Sequence, residues 1–145
     1  MRPAPEAKPL HRVLGEICHL HRTRIDTAFE EMGLYRGQPQ VLKHLQHNDG
    51  STQTELGAMR NVKAATISKV LQRMEHAGFV ERRADLEDQR VSRVYLTAAG
   101  RAISEDVQKT LDALDEETFA GFSLEERVLL RRFFAQIREN LLSAA

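Results

Sequence analysis

The sequence of 145 residues holds a single cysteine, Cys18, so no disulfide can close within the chain. Nor does any apolar run approach the roughly 20 residues that a membrane-spanning helix needs. Net charge is absent too. Lys+Arg and Asp+Glu each number 21, which excludes a uniformly basic protein that coats nucleic acid by charge alone. Of four prolines, three fall in "MRPAPEAKP", where a signal peptide would carry its apolar stretch. The eight glycines lie at turns, helix ends or one isolated helix position, so no phosphate-cradling glycine loop is present. Nucleophile, base and orienting acid never cluster, and there is no internal repeat or low-complexity tract beyond the first nine residues. These absences leave a cytoplasmic chain that is no enzyme, needs no cofactor and touches no membrane, built as one compact unit or an interlocked oligomer.

The charge that is there is unevenly spread. From Arg36 to Thr97 ten Lys/Arg stand against seven Asp/Glu, a balance of +3, while the flanks hold the remaining eleven against fourteen. Apolar periodicity then sets the elements. Leu10, Val13, Leu14, Ile17, Leu20, Ile25, Ala28, Phe29 and Met32 predict one long amphipathic helix over about 9–31, stopped at Gly33. A second helix is expected over 39–46, with Pro39 in its first turn and Val41, Leu42 and Leu45 inward. "NDG" ends it. "TQTE" (52–55) fits a capping box that starts a short helix over about 53–59. Asn61 is expected to cap the next helix, whose inward residues Val62, Ile67, Val70, Leu71 and Met74 run to Ala77 before the left-handed stop at Gly78. "FVERR" and "VSRVYLT" read as the two strands of a hairpin. Thr97 can cap a long helix carrying Ile103, Val107, Leu111 and Leu114, and Ser123 to Glu126 repeats the capping box before a last apolar helix.

A short helix, a tight turn, a second helix and a two-stranded hairpin, in that order, describe a winged helix-turn-helix. The second helix would enter a major groove. "NVKAATISKVLQR" keeps Ile67, Val70 and Leu71 inside and presents Lys63, Ala64, Ala65, Thr66, Ser68, Lys69 and Arg73 outside. Thr66 and Ser68 suit base edges, Ala64 and Ala65 suit thymine methyls, and Lys69 and Arg73 suit phosphates.

At these residues the chain resembles the MarR family of bacterial transcription regulators. "RRADLEDQRVSRVYLTAAG" is similar to the wing signature of that family, an Asp-x-Arg at the hairpin tip followed by a strand and Leu-Thr-x-x-Gly. "TQTEL" and "ISKVLQRMEHAGFVERR" resemble its helix-turn-helix. Gln89 departs from the pattern, standing where an arginine is common between Asp88 and Arg90. The resemblance implies a mainly α (α+β) fold, divided into an N-terminal dimerisation helix (1–34), a winged helix-turn-helix domain (35–97) and C-terminal dimerisation helices (98–145). It implies a homodimer that reads a palindromic operator on double-stranded DNA, with Thr52, Gln53, Thr54, Arg83, Asp88 and Arg90 joining the second helix as DNA-facing residues. In the family, the tip arginine enters the minor groove and the aspartate two residues earlier holds it; carried over, these are Arg90 and Asp88. Asp85 and Glu87 have no such role and read as solvated turn residues.

Family members commonly act as repressors released by a small anionic or phenolic ligand between the dimer helices and the winged domain. Arg12, His19, Arg22, Arg36 and His44, with Tyr35 as a stacking or hydroxyl partner, are the candidates here. Some relatives sense peroxide through a first-helix cysteine. Cys18 lies in that helix, but beside Ile17 and near Leu14 it reads first as a small buried hydrophobe, with the redox role as the alternative. His44 and His47 are one turn apart, and His11, His19 and His21 lie in the first helix, yet no acidic or cysteine ligand accompanies them, so no metal site is expected. A small-molecule-binding protein using the same fold without DNA is the competing class.

Overall fold

A computed structural model describes residues 8–145; the proline-bearing start over 1–7, where the signal-peptide argument rests, lies outside the described residues. The chain forms two compact units, one up to Leu111 and one from Asp112 to Ala145.

In the first unit α1 (Leu10–Glu31) ends at Met32, and Gly33 takes the left-handed conformation (φ 75°). The next helix, α2 (Gln38–His47), accepts Pro39 in its first turn and leads to β1 (Ser51–Thr52). This two-residue strand was not expected from the sequence. It pairs antiparallel with β3 (Ser92–Leu96), which also pairs with β2 (Val80–Ala84), giving the sheet order β1-β3-β2. Between β1 and β2 lie α3 (Gln53–Arg60) and α4 (Ala64–His76).

The turn between α3 and α4 corrects one expectation. Asn61 does not cap α4; it adopts the left-handed conformation (φ 51°, ψ 46°) and closes α3, its N–H donating to Ala58 O at 3.0 Å while Val62 N–H donates to Gly57 O at 3.0 Å. Asparagine tolerates that conformation better than most residues, which is why it serves here as a helix stop. Lys63 becomes the N-cap of α4, and Val62 sits in the turn.

Leu34, Val41, Leu42, Leu45, Leu56, Ile67, Leu71, Met74, Val80 and Val94 form the core beneath α3, α4 and the sheet. Full burial of each such side chain is worth about 1.5–3 kcal/mol of transfer free energy, which is what overrides the weak helix preference of Ile67 and Val41. The exit from the hairpin is pinned. The Thr97 hydroxyl donates to Gly78 O at 2.5 Å and accepts from Gly100 N at 3.0 Å, capping α5 (Ala98–Thr118). A Cβ on Gly100 would stand 1.9 Å from Phe79 O, so only glycine fits that first turn. Asp49, after α2, accepts from Leu96 N at 2.9 Å with one oxygen and from Arg101 Nη2 at 2.7 Å with the other.

In the second unit α6 (Leu124–Ser143) opens with the expected capping box: Ser123 Oγ accepts from Glu126 N at 3.2 Å and Glu126 accepts from Ser123 N at 2.8 Å. Phe119 meets Phe122 edge-on and Phe134 at a tilt, each with ring centroids 6.5 Å apart. No α6 residue is buried. The apolar residues in the first half of α1 are open, Leu10 at 86%, Ile17 at 53% and Leu20 at 61% exposure, whereas Ala28 and Phe29 near its end are buried. Cys18 is exposed as well, between the open Ile17 and Leu20, which corrects its reading as a buried hydrophobe.

Candidate nucleic-acid interface

The outer face of α4 follows from its inner one. Ile67, Leu71 and Met74 point into the core at 1%, 0% and 0% exposure, so the 3.6-residue period turns Ala64, Ala65, Thr66, Lys69 and Arg73 outward, with Lys63 exposed just before them. Ser68 is only partly open, and its carbonyl accepts from Arg82 Nη2 at 3.4 Å. At the start of α3 the capping box forms as expected: Thr52 Oγ1 accepts from Glu55 N at 3.1 Å, and Glu55 Oε2 accepts from Thr52 N at 2.9 Å. Thr54 is exposed, whereas Gln53 Oε1 is taken by Arg82 Nη1 at 2.8 Å.

Arg82 was not among the expected site residues. Alternation along β2 turns it inward with Val80, and it joins α3 through Gln53, α4 through the Ser68 carbonyl and, at 3.4 Å, the Glu75 carboxylate. Arg83 faces the other side of the sheet, stacked 4.7 Å from the Tyr95 ring centroid and paired with Glu81.

The hairpin tip is a tight turn, with Val91 N donating to Asp88 O at 2.9 Å, so Gln89 and Arg90 occupy its two central positions. Asp88 grips Arg90 three times. Its Oδ1 accepts from Arg90 N at 3.1 Å and from Nε at 3.1 Å, and its Oδ2 accepts from Nη2 at 3.3 Å. The Arg90 side chain is nevertheless 91% exposed, held but not covered. The Arg90 guanidinium, and then the Arg90 backbone N–H, hold the Asp88 carboxyl below its ordinary value.

Asp85 proves to be more than a solvated turn residue. Its side chain, 15% exposed, accepts from Glu87 N at 2.8 Å, from Asp88 N at 3.4 Å and from Arg93 Nε at 2.5 Å. Arg93 in turn donates to Gly50 O at 2.9 Å, fastening the base of the wing to the loop before β1. The backbone N–H of Glu87, and then Arg93, lower the Asp85 carboxyl. Glu87 itself is exposed, as expected.

These pieces share one cleft of about 560 Å3, in which Thr52, Gln53 and Thr54 of the α3 start, Ala64 of α4 and Arg90 of the wing all take part. The same segment matches the MarR family, whose profile covers residues 34–92. YdgJ, an uncharacterized helix-turn-helix-type transcriptional regulator of Bacillus subtilis, is 33% identical over 109 residues, 75% of this chain and 66% of that protein.

The chain belongs to the MarR family.

Rv2887, a helix-turn-helix-type transcriptional repressor of Mycobacterium tuberculosis, is 25% identical over 129 residues, 89% of this chain and 93% of that protein. The crystal structure of MarR superposes with a TM-score of 0.74 at 27% identity, covering 97% of this chain and 96% of that one. As a MarR-family chain, this is a DNA-binding transcription regulator and not an enzyme.

The six residues expected around an effector of a MarR-family regulator do not all meet. A cavity of about 420 Å3 brings together Arg22, Tyr35 and Arg36, with Asp26, Glu30 and, unforeseen from sequence, Arg60. Arg12 and His19 lie along exposed α1, outside its lining. His44 is also outside it, its Nε2 3.2 Å from Ser51 Oγ. Among the described residues, no group of three or more His, Cys, Asp or Glu is placed to hold a metal ion, and no helix is long and apolar enough to cross a membrane.

Proposed function

We propose that the protein acts as a homodimer that represses transcription by occupying a palindromic site on double-stranded DNA. In this reading α4 enters the major groove, with Thr66 and Ser68 at base edges, Ala64 and Ala65 against thymine methyls, and Lys63, Lys69 and Arg73 at phosphates. Thr52 and Thr54 approach the backbone at the start of α3. Gln53, in the same cleft, and Arg83, with its side chain 63% exposed, join this surface while each is already engaged within the chain. Arg90 enters the minor groove, aimed by Asp88. The shared cleft carries the reading: one concavity opens onto the start of α3, the start of α4 and an arginine that is fixed yet 91% exposed. A restrained guanidinium loses less freedom on entering a narrow groove whose potential favours it. The open apolar residues of α1 and of α6, among them Phe133 at 53% and Leu141 at 64% exposure, support a second copy of the chain as their cover.

Release by a small anionic or phenolic ligand is part of the same proposal. The cavity with Arg22, Arg36, Arg60 and the Tyr35 ring has a size within the usual range for small-molecule sites, and its arginines suit a carboxylate or phenolate. The test is selection of bound duplex from a random pool, with sedimentation to read the oligomer. The expected result is a two-fold symmetric motif bound by a dimer, with affinity falling steeply with salt. Arg90→Ala should weaken all duplexes, and Thr66→Ala should mainly relax base choice. A monomer, or an unselective pool, sinks the proposal.

A further inference from the structure

Every arginine of the wing has a carboxylate partner. Between Val80 and Leu96 the only cations are Arg82, Arg83, Arg90 and Arg93. They pair with Glu75, Glu81, Asp88 and Asp85 in that order. The hairpin's own four acids match its four arginines, so the wing is electrically neutral. Such an element releases few counterions when it meets phosphate, and little of the protein's salt-dependent affinity comes from it.

What it offers instead is hydrogen bonding at the tip. Of the turn residues 85–91, Gln89 has the one side chain that is polar and uncharged. It is exposed at the centre of the tight turn, beside the clamped Arg90, and among the described residues nothing bonds to its carboxamide. The minor groove distinguishes base pairs chiefly by the guanine 2-amino group, a donor among the acceptors adenine N3 and thymine O2. Arg90 brings donors only, so it cannot recognise that amino group. The carboxylates of Asp85 and Asp88 are occupied, and that of Glu87 is repelled by the phosphates. Gln89 brings an oxygen that can accept from the amino group and an NH2 that can donate to N3 or O2.

We infer that Gln89 is a specificity-determining residue, reading in the minor groove whether the base pair under the wing tip carries the guanine amino group. The inference rests on the wing-in-minor-groove reading above. Its consequence is an operator with base preferences outside the segments that α4 reads, at positions where a fully cationic tip would register groove width and charge but not base identity.

The test uses the full-length dimer and the duplex selected from a random pool. Guanine is replaced by inosine, which lacks the amino group, or adenine by 2,6-diaminopurine, which gains one, pair by pair along the outer flanks. Both changes leave the major-groove hydrogen-bonding groups of the purine in place. For the parent, one of the two replacements at the wing-tip pair should change Kd by about fivefold or more, and for Gln89→Ala by less than about twofold. Gln89→Arg should bind all duplexes more tightly and steepen the salt dependence by about 0.9 per wing. Thermal unfolding should match the parent in both variants, because the Gln89 side chain has no partner in the fold. Equal responses of parent and Gln89→Ala to the modified bases overturn the inference while leaving the DNA-binding reading intact. A parent that selects no duplex overturns that reading, and the inference with it.

Discussion

Replacing Asp88 by alanine sets two physical effects against each other. Coulomb's law alone says that removing a carboxylate from a DNA-facing tip tightens binding. The geometry says the reverse, since Asp88 holds the Arg90 backbone N–H at 3.1 Å, Nε at 3.1 Å and Nη2 at 3.3 Å while leaving the side chain open. An arginine side chain carries about 2 kcal/mol of rotamer entropy, and if the clamp removes about half of that before binding, its loss weakens each wing by about fivefold. In the proposed dimer the two wings multiply to about 25-fold. The opposing gain is small, because at physiological salt the Debye length is about 8 Å and an exposed charge acts weakly beyond it. Asp88→Asn keeps an oxygen for the backbone N–H and for Nε but loses the ionic grip, so it should fall between the parent and Asp88→Ala. Fluorescence anisotropy on the selected operator at about 0.15 M salt, repeated over a salt series, reads both variants. Tighter binding by Asp88→Ala, or affinity equal to the parent, refutes the aiming role and leaves Asp88 as an ordinary surface charge.

Other expectations concern stability. Leu71→Ala, at a site with 0% exposure, should cost about 2–5 kcal/mol in urea unfolding, and a loss below 1 kcal/mol would mean that α4 is not packed as described. Gly100→Ala drives a methyl group into the Phe79 carbonyl and should lower stability by about 1–3 kcal/mol or more, whereas the neighbouring exposed Ala99→Ser should be nearly silent in the same melt. Asp85 and Asp88 are both held below the ordinary value of 3.8, so their contribution is fully present above that pH and is lost as pH falls through their lowered values. The side-chain carboxyl carbon shifts of Asp85 and Asp88 should therefore titrate with midpoints below the ordinary 3.8. A midpoint above 5 would contradict the hydrogen bonds assigned to both carboxylates.

What the sequence revealed and what it hid divide along the distance between interacting residues. The capping boxes at Thr52 and Ser123, the stop at Gly78 and the inward stripe Ile67, Leu71, Met74 are local patterns in which cause and partner lie within four residues, and all form as read. Asp85 looked idle because Arg93, its partner across the hairpin, is eight residues away and joins it only once the hairpin closes. Arg82 was passed over because its partner Gln53 is 29 residues distant. β1 has two residues and exists only as an edge laid against Val94 and Arg93, leaving no periodic trace. Asn61 misled for a different reason: asparagine suits a helix start and a left-handed stop equally well, and the backbone chose the second.

The carboxylate of Asp49 receives the last backbone N–H of β3 with one oxygen and the Arg101 guanidinium with the other. With Thr97 bonded to Gly78 on one side and to Gly100 on the other, the joint between strand and helix is tied from both directions. The first turns of α5 and the wing behind them are thereby geared together. A rotation imposed on that end of α5 would have to strain these bonds or carry the base of the hairpin with it.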